Sequence, residues 1–185
     1  KLPYYTKENL AVVLEKDGEN LNYWLKKLVK EGWLEPVKNG LYISPLYPDT
    51  SETYWERLAN VVRSPSYVSM EYALAKYGLI AEVPFAMTSI TLKSTRVFVT
   101  GKTKFVYRNI SPRLFWGFSL TPVKIAYPYK EIFDYLYLRP FDIDSRINCA
   151  ALDDGNRREF LRIVDEGKSL KMKRIAKKLQ RAGEL

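Results

Sequence analysis

The stretch of sequence that decides the fold of the N-terminal part of this chain runs from Thr6 to Ile43 and reads TKENLAVVLEKDGENLNYWLKKLVKEGWLEPVKNGLYI. Its first segment carries apolar residues at helical spacing, which predicts a helix with one buried face formed by Leu10, Val13 and Leu14. Asp17-Gly18 then predicts a break, because glycine adopts the backbone angles that a tight turn requires. We expect a second helix from Asn20 to Glu31, with Asn20 as its N-cap.

The second predicted helix has an apolar face and a polar face. The apolar stripe consists of Leu21, Trp24, Leu25 and Leu28. The polar face carries Asn22, Tyr23, Lys26, Lys27 and Lys30. These residue types suit entry into a DNA groove, because amides hydrogen-bond to base edges and lysines contact phosphates.

A β-hairpin is predicted next. Two short strands, Trp33 to Val37 and Leu41 to Ile43, flank Lys38-Asn39-Gly40, and Asn-Gly is a strong hairpin signal. Helix, turn, helix and hairpin in this order predict a winged helix-turn-helix, which places its second helix in the major groove. Lys38 and Asn39, at the tip of the wing, would contact the DNA backbone or minor groove. The alternative is a small structural module with solvated lysines, since seven lysines oppose six acidic residues between Lys1 and Ile43.

The composition of the whole chain favours a polyanionic partner. The 185 residues carry a formal net charge of +9, and the isoelectric point is about 9.5. Histidine is absent, which excludes histidine-dependent nucleophilic and metal chemistry within this chain. No apolar run is long enough for a membrane span and the single cysteine, Cys149, excludes an internal disulfide, so we expect a cytoplasmic protein without a membrane partner.

The remaining sequence alternates between helical and strand patterns. A proline-containing connector from Ser44 to Asp49 marks a predicted boundary between a domain at 1–45 and an α+β domain at 46–185. Strands are predicted at 88–92, 96–100, 104–110 and 114–120, with a short one at 124–126. Helices are predicted from Ser51 to Ser64-Pro65 and at 69–77, 128–138, 156–166 and 169–182.

Four segments in a fixed order resemble the AbiEi-type antitoxins, which are transcriptional regulators of type IV toxin–antitoxin systems. They are LVKEGWLEPVKNGLYI (28–43), YVSMEYALAKYGLI (67–80), the Thr-rich strand after Pro84 with FVYRNISPRLFWGF (105–118), and IAYPYKEIFDYLYL (125–138). The last segment is similar to the family pattern A-x-P-E-K-A-L-x-D-x-L, although Tyr129 replaces its glutamate. The resemblance implies a repressor that binds its own operator through the N-terminal domain. It also implies a C-terminal domain that counters a nucleotidyltransferase-like toxin or its target. We expect no enzymatic activity and no cofactor, because the sequence lacks the motifs that would support catalysis.

A basic amphipathic helix is predicted at the C-terminus. Its cations, with no acidic residue between the first and the last, are Lys168, Lys171, Lys173, Arg174, Lys177, Lys178 and Arg181. Such a helix could contact a nucleic-acid backbone, lie on an anionic membrane or remain solvated. The interspersed Leu170, Ile175 and Leu179 give it an apolar side.

Two other groups of residues offer weaker functional interpretations. The acidic pairs Asp142/Asp144 and Asp153/Asp154 could hold Mg²⁺ for phosphoryl transfer, but no phosphate-binding loop accompanies them, and we expect no metal site. Tyr107, Phe115, Trp116 and Phe118 could stack on bases, although alternation along strands favours a place in the core. The sequence therefore favours a DNA-binding repressor, with a protein-interaction module as the alternative.

Overall fold

The structure, a computed structural model, describes residues 3–46, 53–101, 103–139, 146–167 and 169–185 of the chain. These residues form a mixed α+β fold with seven α-helices and two β-sheets, so the α+β class expected from the sequence is confirmed. Within the same ranges, no helix has the length and apolar character needed to cross a bilayer.

The N-terminal unit consists of two helices and a three-stranded antiparallel sheet. Its elements are β1 (Tyr5–Thr6), α1 (Lys7–Leu14), α2 (Gly18–Lys30), β2 (Glu35–Lys38) and β3 (Leu41–Ile43). The strand order β1-β3-β2 pairs the strand before α1 with the last strand of the hairpin. Asn39-Gly40 forms the hairpin turn as predicted, and Gly40 has a φ of 75° that favours glycine.

Three details of these helices correct the sequence-based expectation. The N-cap of α2 is Asp17, so the prediction that Asn20 caps this helix was wrong. The chain reverses earlier than expected, at Glu15, whose backbone is left-handed with a φ of 54°. Val13 was expected on the buried face of α1 but is 68% exposed, and Leu10 is the buried residue of this short helix.

A four-stranded mixed sheet organises the second part of the chain. Its elements are α3 (Tyr54–Val62), β4 (Ser66–Val68), α4 (Glu71–Lys76), β5 (Met87–Thr91), β6 (Arg96–Val99) and β7 (Lys104–Asn109). The strand order is β4-β5-β7-β6, with β5 and β7 parallel and the other neighbours antiparallel. Ser51, where the helix before β4 was expected to begin, lies outside the described residues.

The strand predicted at 114–120 does not form. A 3₁₀ turn occupies Pro112–Leu114, and Gly117 has a positive φ of 75°, so the chain cannot stay extended. A single bridge between Phe118 and Ala126 remains, together with a bridge between Val68 and Ile125. The four aromatic residues considered for base stacking are at least partly buried. Tyr107 in β7 is fully buried, and Phe115, Trp116 and Phe118 are partly buried against the main core.

Three helices complete the fold and enclose the main apolar core. They are α5 (Pro128–Leu138), α6 (Asp154–Glu166) and α7 (Leu170–Arg181). The Asp153 carboxylate accepts from the backbone N–H of Asn156, at 2.8 Å, and so caps α6. Ser169 caps α7 in the same way. Cys149 is buried in this core as expected, and burial raises the pKa of its thiol to about 12.

A buried polar network joins α5 to β4. The ammonium group of Lys130 pairs with the carboxylate of Asp134 one turn later, and neither side chain has access to solvent. Asp134 also accepts hydrogen bonds from the Tyr67 hydroxyl at 2.8 Å and the Ser69 hydroxyl at 3.0 Å. Burial raises the pKa of Asp134 and lowers the pKa of Lys130, each against the attraction of its partner.

The hairpin packs into the second part of the chain. Its buried residues Val37, Leu41 and Ile43 belong to the same apolar cluster as α3 and β7. The backbone N–H of Gly101 donates to the carboxylate of Glu35 at 2.6 Å. The connector that follows the predicted boundary at residue 45 lies largely outside the described residues, but the hairpin before it already shares a core with α3.

Candidate nucleic-acid interface

The outward face of α2 is polar and basic. Leu21 and Leu25 are buried in the small core of the N-terminal unit. On the opposite side, residues at positions i, i+3, i+4 and i+7 form one stripe, because these spacings lie on one face of a helix. The stripe consists of Tyr23, Lys26, Lys27 and Lys30.

The three lysines of the stripe differ in what they contact. The ammonium nitrogen of Lys27 lies 4.0 Å from a carboxylate oxygen of Glu31 and 4.7 Å from the centroid of the Trp24 ring. Lys26 and Lys30 are exposed, and neither has a hydrogen bond or ion pair with any described residue. These two lysines are therefore the cations of α2 that are available to a phosphate.

The first turn of α2 has the opposite character. Asp17 is the N-cap and Glu19 lies in the first turn, so both carboxylates occupy the positive end of the helix dipole. Acidic groups at this end repel a phosphate backbone. Asn20 is exposed at the boundary between the acidic turn and the basic stripe. A nucleic acid would therefore meet α2 through its middle and C-terminal half.

Asn22 lies toward α1. Its side-chain carbonyl accepts a hydrogen bond from the Lys7 ammonium group at 2.8 Å. The backbone N–H of Lys7 in turn donates to the carbonyl of Gly40 at 2.9 Å. Lys7, which the sequence did not single out, therefore links Asn22 of α2 with the hairpin turn.

The two hairpin residues predicted to contact DNA have different surroundings. Asn39 is exposed in the turn. Lys38 instead reaches the C-terminal end of α3, where its ammonium group donates to the carbonyl of Val62 at 2.7 Å. Burial, and then the nearby charges of Lys93 and Arg63, lower the pKa of Lys38. Lys38 therefore ties the hairpin to α3.

Three cations from the second part of the chain gather beside Lys38. Arg63 follows α3, Lys93 follows β5 and Arg96 begins β6, so the sequence separates residues that the fold brings together. The Arg63 guanidinium group donates to the backbone carbonyl and the hydroxyl of Ser94, at 2.7 and 2.9 Å. No local motif marks these residues, and only the pairing of the strands and hairpin could have revealed them.

The basic run at the C-terminus forms α7, with its apolar side buried. Lys168 lies outside the described residues. Lys171 donates to the carbonyl of Arg139, and to that of Tyr137 at 3.1 Å, so it closes the C-terminal end of α5. Lys173 is half-buried. The exposed stripe of α7 consists of Arg174, Lys177, Lys178 and Arg181.

The described acidic pair that was considered for metal binding lies at the N-terminus of α6. Asp153 serves as the N-cap of α6, Asp154 begins the same helix, and Asp142 and Asp144 lie outside the described residues. In the described part of the chain, no group of three or more potential ligands converges to hold a metal ion.

Comparison with known proteins adds no assignment. No protein-family model and no curated protein matches this chain.

Proposed function

We propose that this chain is a DNA-binding transcriptional regulator that acts in the cytoplasm and represses its own operon, as the resemblance to AbiEi-type antitoxins implies. The observation that carries the proposal is the exposed stripe of α2. Tyr23 offers a planar polar group for a base edge, while Lys26 and Lys30 have no partner among the described residues and offer their charges to phosphates.

The architecture of the N-terminal unit supports the same proposal. A winged helix-turn-helix combines two helices with a hairpin whose last strand pairs with a strand from before the helices. Here β1 pairs with β3, and α1 and α2 lie between them in sequence. In such a unit, α2 occupies the position of the helix that enters the major groove.

The toxin-related part of the proposal rests on the C-terminal segments of the resemblance. The segment at 125–138 contains α5, and the lysine and aspartate of its pattern correspond to Lys130 and Asp134. These two residues are fully buried, so we assign them to the stability of the domain. A surface that counters a toxin must therefore use other residues.

The proposal is tested by DNA binding of the Lys26→Ala/Lys30→Ala variant, measured by fluorescence anisotropy on the upstream region of the gene. We expect the slope of log affinity against log salt concentration to become shallower by about 0.9 for each phosphate that the variant no longer neutralises. Lys104→Ala/Arg108→Ala is the matched control, because both residues are exposed on β7. Equal affinity and equal slope for wild type and the α2 variant would contradict the proposal.

A second candidate is a protein-interaction module, and one observation favours it. Val83 and Phe85 are almost completely exposed in the segment between α4 and β5. Only Pro84 separates them in the sequence, and exposed patches of large apolar side chains are typical of protein-binding surfaces. If this candidate is correct, Val83→Ser/Phe85→Ser abolishes neutralisation of a toxin encoded beside this gene and leaves DNA binding intact. Neutralisation at the wild-type level by this variant would exclude this surface.

A further inference from the structure

A positively charged cavity lies where the hairpin turn meets the second part of the chain. Its volume is about 380 Å³, and its walls include the four cationic residues Lys38, Arg63, Lys93 and Arg96. None of the described residues that line it is acidic. Four positive charges therefore lie close together, and no acidic side chain in the described lining balances them.

Two of the four cations have fixed positions. Lys38 is held by the carbonyl of Val62, and its ammonium group is partly removed from water. Arg63 is oriented by two hydrogen bonds to Ser94, which use one terminal nitrogen, and its Nε is buried without a partner. Bringing these charges together is unfavourable unless an anion compensates them.

The other two cations remain available. The ring of Phe98 lies 5.4 Å from the Arg96 guanidinium carbon, and this contact supports the arginine from one side. The backbone N–H of Lys93 donates to the hydroxyl of Thr91 at 3.2 Å, which fixes the main chain but not the ammonium group. Neither cationic group has a hydrogen bond or ion pair with a described residue.

We propose that this cavity binds a phosphate group, and that the group is a backbone phosphate of DNA held beside the hairpin. Guanidinium and ammonium groups that converge from four elements suit the several oxygens of a phosphate, which accept hydrogen bonds from more than one direction. The assignment of this phosphate to DNA rests on the proposed function, in which the hairpin lies beside DNA. Asn39 in the hairpin turn lines the cavity. The same chemistry would also hold a free phosphate compound, which is the other source to be distinguished.

The experiment compares the full chain with the Lys93→Ala/Arg96→Ala variant and the control Lys104→Ala/Arg108→Ala. All four residues are exposed, and the control removes the same two charges from β7. The first measurement is calorimetric titration with pyrophosphate. The second is the salt dependence of affinity for upstream and for scrambled DNA. Thermal unfolding of each variant verifies that the fold is retained.

We expect the cavity variant to bind pyrophosphate at least tenfold more weakly than wild type. We also expect its salt slope on DNA to be shallower by about 0.9, equally for both DNA sequences, while the control behaves as wild type. A change in the salt slope of DNA binding alone, with unchanged pyrophosphate binding, still supports contact of the cavity with the DNA backbone. A change in pyrophosphate binding alone supports the phosphate site but overturns DNA as its source.

Wild-type behaviour of the cavity variant in both measurements overturns the phosphate site. This failure is distinguishable from failure of the proposed function. The role of α2 is contradicted if the wild-type chain shows no preference for upstream DNA, or if the Lys26→Ala/Lys30→Ala variant binds DNA as wild type does. A backbone contact at the cavity affects specific and scrambled DNA alike and leaves that preference unchanged.

Discussion

Replacing Glu131 with glutamine should stabilise the protein at neutral pH and change its stability little at acidic pH. Glu131 lies in α5 with no solvent access, and neither carboxylate oxygen has a hydrogen-bond partner. Burial, and then the neighbouring charge of Asp134, raise the pKa of Glu131 well above its usual value. The folded protein therefore favours the protonated form, whereas the unfolded chain ionises at the ordinary pKa.

The magnitude follows from proton linkage. Between the ordinary pKa of Glu131 and its raised value in the folded protein, the native state binds one more proton than the unfolded state. Stability is therefore lost as pH rises, by up to about 1.4 kcal/mol for each pH unit. Glutamine does not ionise and avoids this loss. For a protein of this size, each kcal/mol corresponds to about 2–4 °C in the unfolding midpoint.

Thermal unfolding of wild type and Glu131→Gln at several pH values from 4 to 8 measures this difference. The midpoint of the variant should exceed that of wild type by an amount that grows with pH above the ordinary glutamate pKa. Asp165→Asn is the control, because Asp165 is exposed on α6. A difference between wild type and Glu131→Gln that stays constant over the whole pH range would refute a buried, unpaired carboxyl group.

Three further changes have defined outcomes. Asp134→Ala should lower the free energy of unfolding by about 3–5 kcal/mol in a urea titration, because it leaves the Lys130 ammonium group buried without its partner. Wild-type stability of this variant would contradict the buried pair. Lys38→Met keeps the aliphatic stem but loses the hydrogen bond to Val62, and should lower the free energy of unfolding by about 1 kcal/mol. An unchanged urea midpoint would show that this bond does not hold the hairpin. Tyr23→Ala should reduce the preference for operator over scrambled DNA by about 1–3 kcal/mol in competition anisotropy, with an unchanged salt slope. An unchanged preference would exclude Tyr23 from base recognition.

Local patterns in the sequence predicted the elements that depend on local interactions. The helix Pro128–Leu138 was predicted with the bounds that the structure has, because proline favours the first turn and the apolar spacing is regular. The hairpin turn at Asn39-Gly40 followed from its residue types. The end of α1 was misplaced, because Glu15 adopts a left-handed conformation that its residue type disfavours.

The features that the sequence did not reveal depend on tertiary contacts. Ser66–Val68 is too short to stand out as a strand and forms one by pairing with β5. The cationic cavity joins Lys38 to three other cations, each of which lies 25 or more positions away in the sequence. The α2 stripe was visible as a pattern in the sequence. The ion pair and ring contact of Lys27, and the hydrogen bond between Lys7 and Asn22, depend on the folded structure.

The most direct measurement of the central claim is a gel-shift titration of the full chain against DNA from its own upstream region, beside scrambled DNA of the same length. It is made at low and at physiological salt. We expect a preference for the upstream DNA that persists at physiological salt, because base contacts from α2 add to the salt-sensitive phosphate contacts. Equal binding to both sequences that disappears at physiological salt would contradict sequence-specific repression and leave only a basic surface.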